Sequence, residues 1–252
     1  DGTNRSITGV GFQPDFIWFK DRSNAFNHYL FDIIRDGQTY YISSNNNAAE
    51  ATDTTSLKSM DSDGFTVGAS AGVNGNNNNY VAWNWKANGT GAANTAGSIN
   101  STVSVNTTAG FSVLKYTGTG SAATVGHGLG VKPDMIFSKP YSSTGDWNIY
   151  HDSFSSQQRI KLNSTAGVST NTQIFSSLPT STLVNIGTSG DINANGTSHL
   201  FYCFNSVQGY SKFGSYTGNG NADGSFISTG FSPAFVMIKQ TTGTGKWVMK
   251  DN

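Results

Sequence analysis

Three ten-residue stretches of this chain share one pattern: GFQPDFIWFK at 11–20, GVKPDMIFSK at 130–139 and GFSPAFVMIK at 230–239. Each sets Gly first, Pro three residues later, then an apolar run closed by Lys. A chain that rewrites one phrase reuses one structural unit, so the fold is a repeated solution. Pro14 and Pro133 lie 119 residues apart, and that offset also carries Phe65-Thr-Val-Gly68 onto Val184-Asn-Ile-Gly187. It carries Val81, Trp83 and Trp85 onto Leu200, Tyr202 and Phe204 as well. The second and third copies differ by 100, as in Tyr116/Tyr216, Lys139/Lys239 and Trp147/Trp247. The surplus between the first two copies falls in ANGTGAANTAGSINSTVSVNT, a small, polar, Gly-rich stretch of linker composition. The domain reading is therefore a first repeat at 1–88, a linker at 89–108, a second repeat at 109–209 and a partial third at 210–252. The first copy has no counterpart of Phe111–Tyr116, and the third holds about half a unit. A half-unit leaves apolar faces uncovered, so the expectation is a piece of a longer protein or a unit completed by a neighbouring chain.

Period sets the fold class. Val81-Ala-Trp83-Asn-Trp85 alternates large apolar with small or polar residues, which predicts a strand with one buried face carrying Val81, Trp83 and Trp85. Residues 15–20 are apolar at every interior position, which predicts a strand covered on both faces, with Lys20 marking its exit to solvent. Asp63-Gly, Asn74-Gly, Asn88-Gly, Asn195-Gly and Asp223-Gly punctuate the strands as tight turns. The third copy is expected to supply strands around Tyr216, Pro233 and Trp247. Only residues 48–58 allow a short helix. The expectation is an all-β protein of tandem antiparallel β-sandwich repeats, jelly-roll or lectin-like, with the third incomplete.

Charged residues make up 12% of the chain, against about 25% in ordinary soluble domains, and the net charge is zero. That balance gives no pull toward nucleic acid or anionic lipid. No apolar run approaches the ~20 residues of a membrane-spanning helix, so no membrane insertion is expected. The single cysteine, Cys203, sits in the apolar run LFYCF and reads as a buried structural thiol. Sequons at Asn88, Asn100, Asn106 and Asn163 are what a chain rich in Asn, Ser and Thr writes by chance.

Catalytic patterns are thin. Glycan hydrolysis generally uses two carboxylates, yet Glu50 is the only glutamate and the aspartates fall mostly at turns. Asp15 and Asp134 become Ala234 in the third copy, as suits a strand-start cap or turn acceptor. Asp61 and Asp63 begin like a calcium loop, but position twelve is Gly72, so an Asx turn is the better reading. His28, His127, His151 and His199 share no ligand spacing, GTSGD at 187–191 is not a nucleophile elbow, and GTGSA at 118–122 lacks a phosphate-loop ending. No enzyme, cofactor or metal is expected. Trp147 and Trp247 recur after short polar loops and are the candidates for stacking on sugar rings, with recurrence favouring a structural role.

Taken together, Gly-x-x-Pro-Asp with its apolar run and Lys, then FD or YHD, YISSNNNAA, DSDGFTVG and NNNNYVAWNWK resemble a known repeat. It is the repeat of virion structural and tail-fibre-like proteins of marine bacteriophages, including those infecting cyanobacteria. HGLGVKPDMI and FGSYTGNGNADG extend the resemblance over the whole chain, while LNSTAG at 162–167 departs from it. The resemblance implies a non-enzymatic virion protein on the particle surface, a tail-fibre or capsid-fibre segment for assembly and host attachment. Its implied partners are other virion proteins, copies of itself and host-surface glycan. It carries no catalytic residues over. The rival readings are a carbohydrate-binding module and a glycan depolymerase.

Overall fold

The computed structural model describes residues 3–35 and 38–252 and is all-β, built of several sheets. The first copy contributes β1 (Arg5–Thr8), β2 (Phe16–Asp21), β3 (Tyr29–Asp32), β4 (Tyr40–Ser43), β5 (Ala51–Thr52), β6 (Leu57–Asp61), β7 (Gly64–Val67), the one-turn helix α1 (Ala71–Asn74) and β8 (Tyr80–Trp85). They form a five-stranded sheet in the order β5-β4-β3-β2-β8 and a three-stranded sheet β1-β7-β6. Residues 48–58, where a helix was allowed, instead hold β5 and the start of β6. Apolar residues there are too few to give a helix a buried stripe.

Next come β9 (Ala92–Asn94), β10 (Ser101–Asn106), β11 (Phe111–Thr117), β12 (Ala123–Gly126), β13 (Met135–Pro140), β14 (Asn148–His151), β15 (Gln158–Lys161), β16 (Ser169–Thr170), β17 (Leu183–Ile186), α2 (Gly190–Asn193) and β18 (Ser198–Phe204). Eight of the strands make one sheet, β16-β15-β14-β13-β18-β11-β10-β9, and β12 pairs with β17. The stretch expected as a linker, 89–108, thus carries β9 and β10. Ser101-Thr-Val-Ser-Val has the period of a strand, and its buried Val103 faces the second copy's own core.

Three cores follow from the alternation of side chains along the central strands. Ile17 and Phe19 of β2 meet Phe65 and Val67 of β7 in the first copy's own core. Phe201 and Cys203 of β18 meet Val184 and Ile186 of β17 in the second copy's. The opposite faces, Phe16 and Trp18 from β2 with Leu200, Tyr202 and Phe204 from β18, meet each other in a third core shared between the copies. Phe16 stacks on Tyr202 at 4.3 Å between ring centroids. The apolar run of β2 is therefore covered on both faces, as its composition implies.

Trp83 and Trp85 are only half-buried, unlike their counterparts Tyr202 and Phe204. The reason is topological. Strand β18 is flanked by β13 and β11, whereas β8 lies at the edge of its sheet with β2 on one side.

The third copy yields the hairpin β19 (Phe235–Lys239) and β20 (Trp247–Asp251). Phe235 packs on Trp83 at 5.2 Å, and Met237, Trp247 and Met249 lie against the shared core. Val236, Ile238 and Val248, on the other face, are exposed. No strand forms around Tyr216, contrary to expectation. Its counterpart β11 pairs with β10 and β18, and among the described residues the third copy has no such neighbours.

Trp147 has no exposed surface, whereas Trp83 is half-buried. Trp147→Ala should cost ~3–5 kcal/mol in urea unfolding, and Trp83→Ala clearly less, because truncation cost tracks the cavity left behind. Equal losses would contradict this burial pattern.

Candidate functional site

The residues that bind the copies to one another form an organised polar structure. The Trp147 indole N–H donates to the Ser43 carbonyl at 2.9 Å, reaching from the second copy to the first. Lys139 Nζ donates to the carbonyls of Asn47 at 3.2 Å, Pro140 at 3.0 Å and Gly145 at 2.8 Å. The Gly145 amide donates to Asn47 at 2.9 Å, and the Glu50 amide to Tyr141 at 2.8 Å.

The same set recurs between the second and third copies. Trp247 donates to the Lys161 carbonyl at 3.0 Å, and Lys239 to Thr165 at 2.9 Å and Gly245 at 2.6 Å. The Gly245 amide donates to Thr165 and the Val168 amide to Thr241, both at 2.8 Å. One head-to-tail joint is made twice.

This corrects the expected role of the closing Lys. Lys139 is fully buried and caps a ring of carbonyls instead of marking an exit to solvent. Burial pushes its pKa down to about 8, and the carbonyl cage supplies the partners that a buried ammonium requires. No sequence pattern announces this, because Asn47 is distant in the chain. Gly145 is needed here: a Cβ would meet the Pro140 ring at 2.5 Å.

In the first copy the corresponding residues are Lys20, Phe26 and His28. Lys20 Nζ bonds the carbonyls of Asp21, Asn24 and Phe26, so a local carbonyl replaces that of a neighbouring copy. The His28 Nδ1 accepts from the Trp18 indole at 2.9 Å, which leaves Nε2 as the ring's donor. Burial, with the Lys20 charge adding to it, pushes His28 down to about 4 and keeps it neutral at pH 7. Beside it lies a cavity of about 240 Å³ lined from all three copies, by Trp18, His28, Asn45, Asn163, Met237 and Trp247 among others.

Of the two tryptophans singled out for sugar stacking, Trp247 lines this cavity. Trp147 has no exposed surface, so a sugar would have to displace core to reach it.

The other candidates are tied into structure. Asp63 accepts from the amides of Gly9 and Gly11 at 3.0 and 2.7 Å, an anchor for the N-terminal turns. Asp15 accepts from the Ala87 amide and Asp134 from the Ser206 amide, both at 2.6 Å, so the paired acids are acceptors of the same type. Glu50 pairs with Arg35 at 3.4 Å. Arg35, wholly buried, also holds Asp32 at 2.6 Å, and Asp32 accepts the Tyr202 hydroxyl at 2.6 Å from the other copy. Asn163 accepts the Trp147 amide at 3.1 Å through its side chain. Burial raises the Cys203 thiol to about 12, so it is inert at neutral pH. Among the described residues no three His, Cys, Asp or Glu cluster as metal ligands. Among the described residues no helix is long and apolar enough to cross a membrane.

A family model covers residues 1–252, the full length over which the copies and their joints extend. The chain belongs to the family described as Domain of unknown function (DUF7483). Neither a curated protein nor a solved structure matches it.

Two tests follow from the joint. Lys139→Met strands the carbonyls it caps and should cost ~2–5 kcal/mol, while Lys20→Met, half-exposed, should cost under half as much. Similar losses in urea unfolding would show that the joint is not what holds Lys139. Two buried histidines contribute to the acid response. Burial lowers both His28 and His199 from 6.5 to about 4. Between those values the unfolded chain binds more protons than the folded one, so stability falls as pH drops from 6.5 to 4, by up to ~3 kcal/mol per group. His199→Gln should flatten the urea midpoint over that range; an unchanged slope would refute the assignment.

Proposed function

We propose that the chain is a non-enzymatic structural protein of a bacteriophage virion, a tail-fibre or capsid-fibre segment. In this reading it is built of tandem jelly-roll or lectin-like β-sandwich repeats and serves assembly and host attachment at the particle surface. The observation that carries the reading is the joint made twice with the same donors and acceptors, from Trp147 to Ser43 and from Trp247 to Lys161. A chain whose repeated polar structure joins one copy to the next is organised to hold copies together, which suits a structural element of a particle. The acids that might serve chemistry, Glu50, Asp32, Asp15 and Asp63, are spent on ion pairs and backbone amides. The low-charge surface rich in Ser, Thr, Asn and Gly suits an extracellular fibre at high ionic strength, where charge pairs are screened.

A second reading, a carbohydrate-binding module, draws on the Trp247 cavity with its Asn45 and Asn163 amides. At about 240 Å³ that cavity is smaller than typical small-molecule sites, which favours the structural reading.

Immunogold electron microscopy of purified particles of a phage whose genome encodes this chain tests the proposal. Label along a fibre or at the capsid surface is expected, and particles free of the chain would refute it. Binding on a glycan array that Trp247→Ala abolishes would transfer weight to the second reading. Reducing-sugar release from host polysaccharide would overturn both.

A further inference from the structure

The first two copies fill one face with different chemistry. Between β3 and β4 Tyr29 pairs with Ser43 and Leu30 with Ile42; between β14 and β15 Asn148 pairs with Lys161 and Ile149 with Ile160. That register sets Asn148 in the place of Tyr29 and Arg159 in the place of Tyr41. The rings of Tyr29 and Tyr41 lie 4.3 Å apart, and the Tyr29 ring is so close to Gly72 that a Cβ there would meet it at 2.3 Å. In the second copy Asp191 of α2 takes the position of Gly72, Asp146 that of Asn27 and Lys161 that of Ser43. The frame around them is kept. The His28 and Trp147 amides donate to Asn45 and Asn163, both at 3.1 Å, and those side chains donate to Asn27 and Asp146, both at 2.8 Å. The scaffold recurs, and the charges appear once.

Within this cluster the Arg159 guanidinium is the group left over. It is half-buried, and burial pushes it below its ordinary pKa, with Asp191 and Asp146 opposing the shift. Its Nη1 donates to Oδ1 of the buried Asn148 at 2.5 Å, but its Nε is buried without a partner, and such a group calls for an explanation. Both acids are engaged elsewhere, Asp146 by Lys161 and Asn163, and Asp191 by the Asp146 amide at 3.1 Å. Lys139, Arg159 and Lys161 set three positive charges against those of Asp146 and Asp191, which leaves one unmatched. A planar fork of donors, oriented by a buried amide and short of an acceptor, suits a bidentate oxyanion. Strand β16 sets Ser169 opposite Arg159 and Thr170 opposite Gln158, both exposed, and their hydroxyls can donate to and accept from a polyhydroxyl ligand.

We propose that this face of the second copy binds an acidic sugar through a singly charged oxyanion, a uronate carboxylate or a sulfate ester, with Arg159 as the anchor. One unmatched positive charge calls for a monoanion; a phosphate monoester carries about 1.5 to 2 negative charges at neutral pH and would overfill it. Asn148, Arg159 and Asp191 do not line the Trp247 cavity, so this is a separate site. The inference goes beyond the structural reading above and does not depend on where the chain resides.

The test is calorimetric titration of the full chain at low ionic strength with sodium glucuronate, glucose 6-sulfate and, as the neutral control, glucose. At least one of the two anions is expected to bind with a Kd tighter than about 10 mM, and glucose is not. Whichever anion binds more tightly assigns the source of the oxyanion. Arg159→Gln should weaken that binding at least about tenfold, because a neutral amide replaces a charged fork. Asp191→Asn keeps an acceptor for the Asp146 amide and removes a competing negative charge. It should therefore tighten binding, a gain that a purely structural cluster would not give. A Kd weaker than about 10 mM for both anions, glucose binding as well as they do, binding untouched by Arg159→Gln, or no gain in Asp191→Asn would each overturn the proposal. If Arg159→Gln does not fold, the Asp191→Asn titration decides alone.

Discussion

Strands β2 and β18 have water on neither face, and the rest of the molecule is arranged around that constraint. Alternate side chains of β2 enter different cores, Phe16 and Trp18 the shared one and Ile17 and Phe19 the first copy's own. A strand in this position has polar groups mainly at its ends, and each must find a partner there, because a buried unpaired group costs ~1–3 kcal/mol. Asp15 at one end takes the Ala87 amide, and Lys20 at the other takes three carbonyls. The Pro-to-Lys phrase thus describes a strand sealed on both faces and satisfied at both tips.

The shared core also borders a group that is costly to bury. Arg35 is buried, and the desolvation of its charge is offset by Asp32, Glu50 and the Leu30 carbonyl. Pairs of this kind contribute little net stability compared with apolar packing, but they are intolerant of the wrong neighbour. Here the second copy completes the network, through the Tyr202 hydroxyl on Asp32. This bond joins those of Trp147 and Lys139 in tying the second copy to the first.

Much of the layered fold is legible in the sequence because it is written in short-range pattern. The unbroken apolar run of β2 and the burial of Cys203 follow from local composition, whereas Asp63, read as an Asx turn, accepts instead from the amides of Gly9 and Gly11, and Asp15 and Asp134 accept from amides 72 residues away. What escapes is decided by partners far along the chain. Lys139 is read as an exit residue because nothing near it predicts the carbonyl of Asn47, 92 residues away. Trp83 is read as core because its own alternation matches Tyr202, yet burial depends on the strand next door. The Gly-rich stretch 89–108 is read as linker because Ala92-Ala-Asn94 has no apolar side chain beyond methyl, although β10 gives it a ladder to join. The candidate site was half legible: recurrence identified Trp147 and Trp247, and their identical bonds across two joints explain that recurrence.

The joint is head-to-tail, and such contacts extend without limit unless the rotation between units brings the last back to the first. In this chain the third copy does return to the first, through contacts other than the joint's own bonds. Phe235 of the third copy lies on Trp83 of the first, Asp251 pairs with Arg22, and the cavity at His28 and Trp247 is walled by all three copies. Successive joints therefore turn around a common apolar centre instead of advancing along a line. The shared core thus holds the three copies as one body, because parting them would expose Phe16, Trp18 and Tyr202 together.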